Sequence, residues 1–115
     1  MVIQQGDVYW YDVGDPKGRG LAYRHPHVVV QGNPFNRSKV GTVVICGISS
    51  NLKRAETPGN VLLKKGDANL PKESVVIVTQ LHTVDRNHLS ERIGSLSADQ
   101  IEQVLRGVKM VLDAE

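Results

Sequence analysis

Short runs of β-branched residues, separated by turn signals, constrain this chain more than any other feature of its sequence. Branched side chains fit a pleated surface, so such runs favour strands. Clusters of glycine, proline, asparagine and aspartate separate the runs. We predict strands over residues 8–13, 27–31, 42–49, 61–63 and 74–80. Five or more short strands in succession indicate a compact β domain rather than βαβ units.

One amphipathic helix is predicted at the end of the chain. Ser97 and Gln100 form a capping box, in which each side chain satisfies a free backbone N–H of the other. Apolar residues then recur at helical spacing and make one stripe: Ile101, Val104, Leu105, Val108, Val111 and Leu112. We therefore expect a mostly β fold, a barrel or half-barrel with a C-terminal amphipathic helix, and a single domain over residues 1–115.

Charge, cysteine content and hydropathy limit the classes of protein that this chain can belong to, but they do not identify its function. The chain has 115 residues and a net charge of +2, which is compatible with a nucleic-acid partner but does not require one. Cys46 is the single cysteine, so we predict no internal disulfide and interpret Cys46 as a buried core residue. No apolar run approaches the roughly 20 residues of a membrane span, and no signal segment follows Met1. We expect a cytoplasmic protein that does not contact a membrane.

The sequence carries no established cofactor or metal motif. Lys17-Gly18-Arg19-Gly20 lacks the spacing of a phosphate-binding loop. His25 and His27 are two residues apart, which places both on one face of a strand, but no Cys, Asp or Glu lies nearby to complete a metal site. We predict no metal and no cofactor.

Three segments in this order resemble the MazF/PemK toxin family. Residues 6–10 read Gly-Asp-Val-Tyr-Trp, and residues 25–31 are similar to an Arg-Pro-x-apolar-Val-apolar strand. Residues 80–86 are similar to a Gln-apolar-Arg-Thr-apolar-Asp-basic segment. Between them, Val44 to Ser49 matches a strand that ends in Ser or Thr ahead of a proline turn. The resemblance extends from about residue 6 to residue 112.

The resemblance implies a fold, an activity and partners. The fold would be an SH3-like β-barrel that forms a two-fold homodimer. The activity would be metal-independent, sequence-specific cleavage of single-stranded RNA, with the 2′-OH of the substrate as nucleophile. The partner would be a cognate antitoxin whose acidic tail blocks the RNA groove. Apolar residues 42–48 and 74–78, with few aromatics to cover them, independently suggest a homodimer.

The catalytic residues implied by the resemblance are a cation and a hydroxyl beside the scissile phosphate. The family has Ser or Thr at the end of the third strand, which is Ser49 here, and Arg before the proline of the second strand. This chain has His25 before Pro26 and Arg24 one residue earlier. Either Arg24 supplies the cation, or His25 is itself the acid/base, since imidazole titrates near neutral pH.

Basic and aromatic loop residues complete the predicted RNA surface. Lysines and arginines would contact phosphates, and an aromatic ring can stack on a base. For each of them a solvated surface charge is the alternative, and for the strand histidine the alternative is ordinary packing. The predicted RNA-binding residues are Lys17, Arg19, Tyr23, His27, Arg37, Lys53 and Arg54.

Two alternative functions stay open at this point. A catalytically inactive RNA-binding relative is one, because His25 replaces the family's arginine and Gly20 stands near the place of a frequent glutamate. The other is a CcdB-like toxin that binds DNA gyrase. Those toxins end in a tryptophan-containing segment, whereas this chain ends Val111-Leu112-Asp113-Ala114-Glu115.

Overall fold

A computed structural model describes residues 2–12 and 24–113 of the chain. The elements of this part of the chain alternate short strands with tight turns and end in one long helix. In order they are β1 (Asp7–Tyr11), β2 (His25–Val29), α1 (Asn33–Asn36), β3 (Thr42–Ser49), β4 (Val61–Leu63), β5 (Ser74–Asp85), β6 (Arg92–Ser95) and α2 (Ala98–Leu112). Short 3-10 helices cover Leu52–Glu56, Asp67–Asn69 and Arg86–His88.

The strands form one curled antiparallel sheet with the order β4-β5-β3-β2-β1-β6. The two edge strands approach each other through the turn at Asp67–Asn69, where the Asn69 side-chain amide donates to the Ile93 carbonyl of β6 at 3.1 Å. The sheet is therefore a half-barrel whose open side is bridged by a turn. This agrees with the predicted barrel-like β fold.

Several predicted strand boundaries need correction. The strands at 42–49 and 61–63 have the predicted bounds, but β1 begins at Asp7, whose carboxylate accepts a hydrogen bond from Ser95 at 2.7 Å. β1 ends at Tyr11, and position 13 lies outside the described residues. β5 continues past the predicted end at residue 80 to Asp85, because the bulged strand stays paired with β3.

The second strand begins and ends two residues earlier in the chain than predicted. It covers His25–Val29 rather than 27–31, and Pro26 lies inside it. Pairing with β3 begins only at His27, so the missing N–H of Pro26 is compatible with the strand. Gln31, predicted as a strand residue, instead bridges Asn36 and the Thr42 carbonyl with its side-chain amide.

Apolar side chains pack on both faces of the sheet. The helix-side core lies between the sheet and α2, and Val8, Cys46, Val78 and Val104 belong to it. The opposite-face core, which includes Tyr9, Ile45 and Leu89, is smaller. Neighbouring residues of β1 thus point to different faces, as period-two alternation predicts. Cys46 is fully buried, which confirms its interpretation as a core residue.

The helix begins as the sequence predicted. Ser97 accepts from the Gln100 backbone N–H at 3.2 Å, and Gln100 accepts from the Ser97 N–H at 2.9 Å. Ile101, Leu105 and Val108 pack against the helix-side core around Val104. The predicted stripe is wrong at its end, because Val111 and Leu112 are exposed where α2 runs beyond the sheet. Among the described residues, no helix is long and apolar enough to cross a membrane.

The apolar strands that suggested a homodimer are covered within one chain. Val43, Ile45 and Ile48 of β3 are each at most 2% exposed, and residues 74–78 are all buried. On one face of the sheet, α2 and the helix-side core cover these strands. On the other face, the smaller core covers them. The argument for a dimer from these strands therefore fails, and the dimer has to rest on other grounds.

Candidate active site

The start of β2 and the end of β3 meet at one end of the sheet. His27 lies opposite Gly47 in the antiparallel pairing of these strands. His25 and Ser49 each lie two residues beyond this last pair, and alternation along each strand gives His25 the face of His27 and Ser49 the face of Gly47. His25 is exposed and Ser49 is partly exposed. The meeting ends of β2 and β3 thus carry an accessible imidazole and an accessible hydroxyl.

The guanidinium of Arg24 is engaged by two neighbours. It forms a salt bridge with Glu91, and its carbon lies 5.8 Å from the centre of the Trp10 ring, a cation–π arrangement. The Arg24 side chain is 24% exposed. Its Nε is buried and has no hydrogen-bond partner among the described residues. Arg24 is therefore engaged on the helix side of the sheet.

The hydroxyl of Ser49 already accepts one hydrogen bond. The backbone N–H of Asn51 donates to Ser49 Oγ at 3.0 Å. The contact caps the turn that follows β3, which is a common structural role of serine hydroxyls. A hydroxyl has one proton to donate in addition to its acceptor lone pairs, so the contact leaves Ser49 able to donate to a phosphate oxygen.

His27 lies among rings beside the pair. It is 5% exposed, and its Nδ1 is 2.9 Å from the His25 carbonyl, so Nδ1 carries the proton and donates it. The rings of Tyr11 and His82 stand edge-on to it, each with a centroid separation of 6.0 Å. Burial is the main cause that lowers the pKa of His27 from 6.5 to about 4, against the hydrogen bond to His25, which raises it. This environment favours the packing role of His27 over direct RNA contact.

The predicted RNA-binding cations do not form one group. Lys53 is exposed and Arg54 is half-buried in the turn that follows β3, next to Ser49. Arg37 follows α1, between the end of β2 and the start of β3, which is the opposite end of these strands. Lys17, Arg19 and Tyr23, together with Gly20, lie outside the described residues.

Two side chains at this end of the sheet were not predicted as site residues. The sequence predicted Trp10 only as a residue of the first strand. No sequence signal indicated Glu91, because it lies 67 residues from Arg24. Among residues 2–12 and 24–113 no group of three or more His, Cys, Asp or Glu side chains could hold a metal ion.

Solved structures define the class of protein that has this fold. A mycobacterial endoribonuclease in complex with its cognate antitoxin superposes with a TM-score of 0.78 at 20% identity, covering 98% of this chain and 97% of that one. MazF from Deinococcus radiodurans superposes with a TM-score of 0.73 at 23% identity, covering 97% of both chains. The half-barrel with a C-terminal helix is thus the MazF fold.

Sequence comparison identifies the family. The family model described as PemK-like, MazF-like toxin of type II toxin-antitoxin system matches residues 4–112, and the chain belongs to this family. Endoribonuclease MazF6 of Mycobacterium tuberculosis is 41% identical over 113 residues, which are 98% of this chain and 99% of that protein. Endoribonuclease MazF of Staphylococcus saprophyticus is 28% identical over 111 residues, 96% of this chain and 92% of that protein.

Proposed function

We propose that this protein cleaves single-stranded RNA at specific sequences without a metal ion, with His25 as the acid/base and Ser49 as a phosphate ligand. The protein is a MazF-type toxin endoribonuclease, by its family and by its 41% identity to a curated one. The 2′-OH of the substrate attacks the adjacent phosphorus, and the 5′-oxygen of the next nucleotide leaves. The protein has to move protons and to stabilise the anionic phosphorane.

The way β2 and β3 meet is the observation that carries the proposal: their pairing ends with His27 opposite Gly47, and His25 and Ser49 each lie two residues beyond this pair. An imidazole, which can accept or donate a proton, and a hydroxyl donor are thus both available at this exposed end of the sheet. His25 can take the 2′-OH proton or give a proton to the leaving oxygen. Ser49 can donate to a non-bridging phosphate oxygen.

The engagement of Arg24 supports His25 over Arg24 as the catalytic group. To reach a phosphate between His25 and Ser49, the guanidinium would have to give up Glu91 and the Trp10 ring. Arg24 keeps a supporting part, since its positive charge near the site favours phosphate binding. Lys53 and Arg54 would contact phosphates on the side of β3, and the proposed contacts of Lys17, Arg19, Tyr23 and Arg37 complete the RNA surface.

An acidic antitoxin segment and a second copy of the chain are the proposed protein partners. The mycobacterial structural neighbour is a complex with its cognate antitoxin, and MazE–MazF complexes of Deinococcus radiodurans share the fold. An acidic tail would occupy the same basic end of the sheet as RNA. We further propose that residues 1–115 act as one domain, which forms a homodimer in the cytoplasm.

Cleavage of a long unstructured RNA in the presence of EDTA tests the proposal. We expect products with 2′,3′-cyclic phosphate and 5′-hydroxyl ends. His25→Ala should lose at least about 100-fold in rate, because it removes the general acid or base, and should change RNA affinity little. Arg24→Ala should weaken RNA binding and keep more activity than His25→Ala. Lys65→Ala, which removes an exposed charge in the turn after β4, is the matched control.

Three outcomes would contradict this assignment. Products with 5′-phosphate ends, or a requirement for Mg²⁺, would exclude attack by the 2′-OH without metal help. An inactive Arg24→Ala beside an active His25→Ala would transfer the catalytic role to Arg24. RNA binding without cleavage by the wild-type protein would identify an inactive relative.

A further inference from the structure

A cavity of about 250 Å³ opens on the helix side of the same sheet end. Its flat and apolar walls come from Trp10, Pro26, Ile48, Leu70 and Pro71. Drug-sized ligands fill pockets of roughly 300–1,000 Å³, so this cavity suits a smaller, flat group.

Two of the polar residues of the cavity, Arg24 and Lys72, are cationic. Arg24, His25 and Lys72 line it together with the hydroxyl of Ser50. Glu91 compensates the charge of Arg24, whereas Lys72 forms no ion pair with any described residue. An anionic group at the rim and a flat aromatic group inside match this arrangement, and a nucleotide combines the two.

The cavity and the proposed catalytic pair share one strand end. His25 itself lines the cavity, together with Arg24 and Ser50, and Ser50 directly follows Ser49, so the cavity borders the proposed catalytic residues. A strand of RNA whose phosphate lies between His25 and Ser49 would have its neighbouring base at the mouth of the cavity.

We infer that this cavity binds the base of one nucleotide beside the scissile phosphate and thereby sets part of the cleavage sequence. The inference rests on the proposed function. Trp10 and Pro26 supply surfaces on which the base stacks, and Lys72 holds the phosphate of that nucleotide. Specificity at one flanking position then comes from the fit of the base in the cavity.

Trp10 is the only tryptophan of the chain and lines the cavity, so its fluorescence reports occupancy directly. Titration with the four nucleoside 5′-monophosphates tests binding alone, because none of them has the phosphodiester bond between two nucleotides that the enzyme would cleave. We expect saturable quenching that differs between bases. Lys72→Ala should weaken binding roughly tenfold through loss of the phosphate contact, whereas Lys65→Ala should bind like the wild type.

Cleavage-site mapping on a long RNA tests specificity separately. Ser50→Phe fills the mouth of the cavity and should abolish the base preference at one flanking position, with the other positions unchanged. Thr79→Phe places the same side chain at another exposed position and should leave all preferences intact.

Each contrary outcome has a distinct meaning. No quenching by any nucleotide, equal binding by Lys72→Ala and Lys65→Ala, or quenching only by an acidic peptide would overturn the cavity assignment. If RNA is still cut in EDTA in those cases, the proposed function stands without it. A third outcome is that the protein does not cut RNA but shows base-selective quenching, which Lys72→Ala weakens. This outcome would support nucleotide binding in the cavity and overturn the proposed function.

Discussion

The two faces of the sheet differ in how completely they are packed. On the helix side, α2 covers the sheet, and Gly107 of α2 lies against Gly59, whose turn precedes β4. On the opposite face, the rings of Tyr11 and His82 pack edge-to-face with the imidazole of His27, beside a small apolar core. The difference suggests that the helix side maintains the curl of the sheet, whereas the ring-lined face is the one that can be adapted to chemistry.

The largest effect is expected on the helix side, at Gly107. A Cβ at this position would lie 2.2 Å from the Gly59 carbonyl oxygen and 2.8 Å from a Val78 methyl group. Backbone cannot move aside as a flexible side chain can, so Gly107→Ala should lower the free energy of unfolding by about 3 kcal/mol or more. Urea unfolding measures the loss.

Gly41→Ala is the matched control for Gly107→Ala. Nothing lies within 4 Å of a Cβ at Gly41, so the change should be neutral or slightly stabilising. If both variants unfold at the same urea concentration, α2 does not pack as tightly on the sheet as this contact indicates.

The next effect belongs to the ring-lined face and depends on pH. Burial lowers the pKa of His27 from 6.5 to about 4, so between these values the unfolded chain binds more protons than the folded one. Stability is therefore complete above pH 6.5 and falls as the pH drops towards 4, by about 3 kcal/mol from this group. Unfolding in urea at pH 7.5 and pH 4.5 measures the difference.

His27→Gln should remove most of this pH dependence, because the replacement does not titrate. His88→Gln, at an exposed position, should retain the slope of the wild type. Equal slopes in all three proteins would mean that His27 is solvated and protonated in the fold. The contrast between a side packed by α2 and a pH-sensitive opposite face would then be lost.

A smaller effect is expected where α2 begins. Ser97→Ala removes the side-chain half of the capping box, which should cost about 1 kcal/mol. Ser97→Asp should retain most of the stability, because aspartate also accepts from the first turn. Ser90→Ala, at an exposed position outside any helix, should change the unfolding midpoint little. A cost for Ser97→Ala no larger than that for Ser90→Ala would contradict a contribution of the cap.

Local patterns predicted much of the fold. The capping box and the alternation that separates Val8 from Tyr9 need only neighbouring residues, and both were predicted correctly. The short β6 was not predicted separately, because its four residues carry only one apolar side chain, Ile93. Whether such a short segment forms a strand depends on its pairing with a distant part of the chain. A local sequence pattern does not contain that information.

The candidate site shows the same division. His25 and Ser49 were predicted from the resemblance, but only the pairing of β2 with β3, which ends at His27 and Gly47, shows that the two strand ends meet. The contact of Arg24 with Glu91 joins distant segments, and no spacing rule indicates it. For the same reason the sequence left Arg24 and His25 as alternatives, and the contacts of Arg24 with Glu91 and Trp10 are the new observation on which the proposal for His25 draws.

The smallest expected effect is also the one whose sign is unusual, and it concerns the opposite-face core. The Tyr9 side chain is 1% exposed, and its hydroxyl has no hydrogen-bond partner among the described residues. A buried hydroxyl without a partner loses its hydration and gains no bond in return. Tyr9→Phe should therefore be neutral or raise the free energy of unfolding by up to about 1 kcal/mol, measured by urea unfolding. A loss of 1 kcal/mol or more would show that the hydroxyl is satisfied in solution, by a water molecule or by a protein group, and that this face is less open to adaptation than its rings suggest.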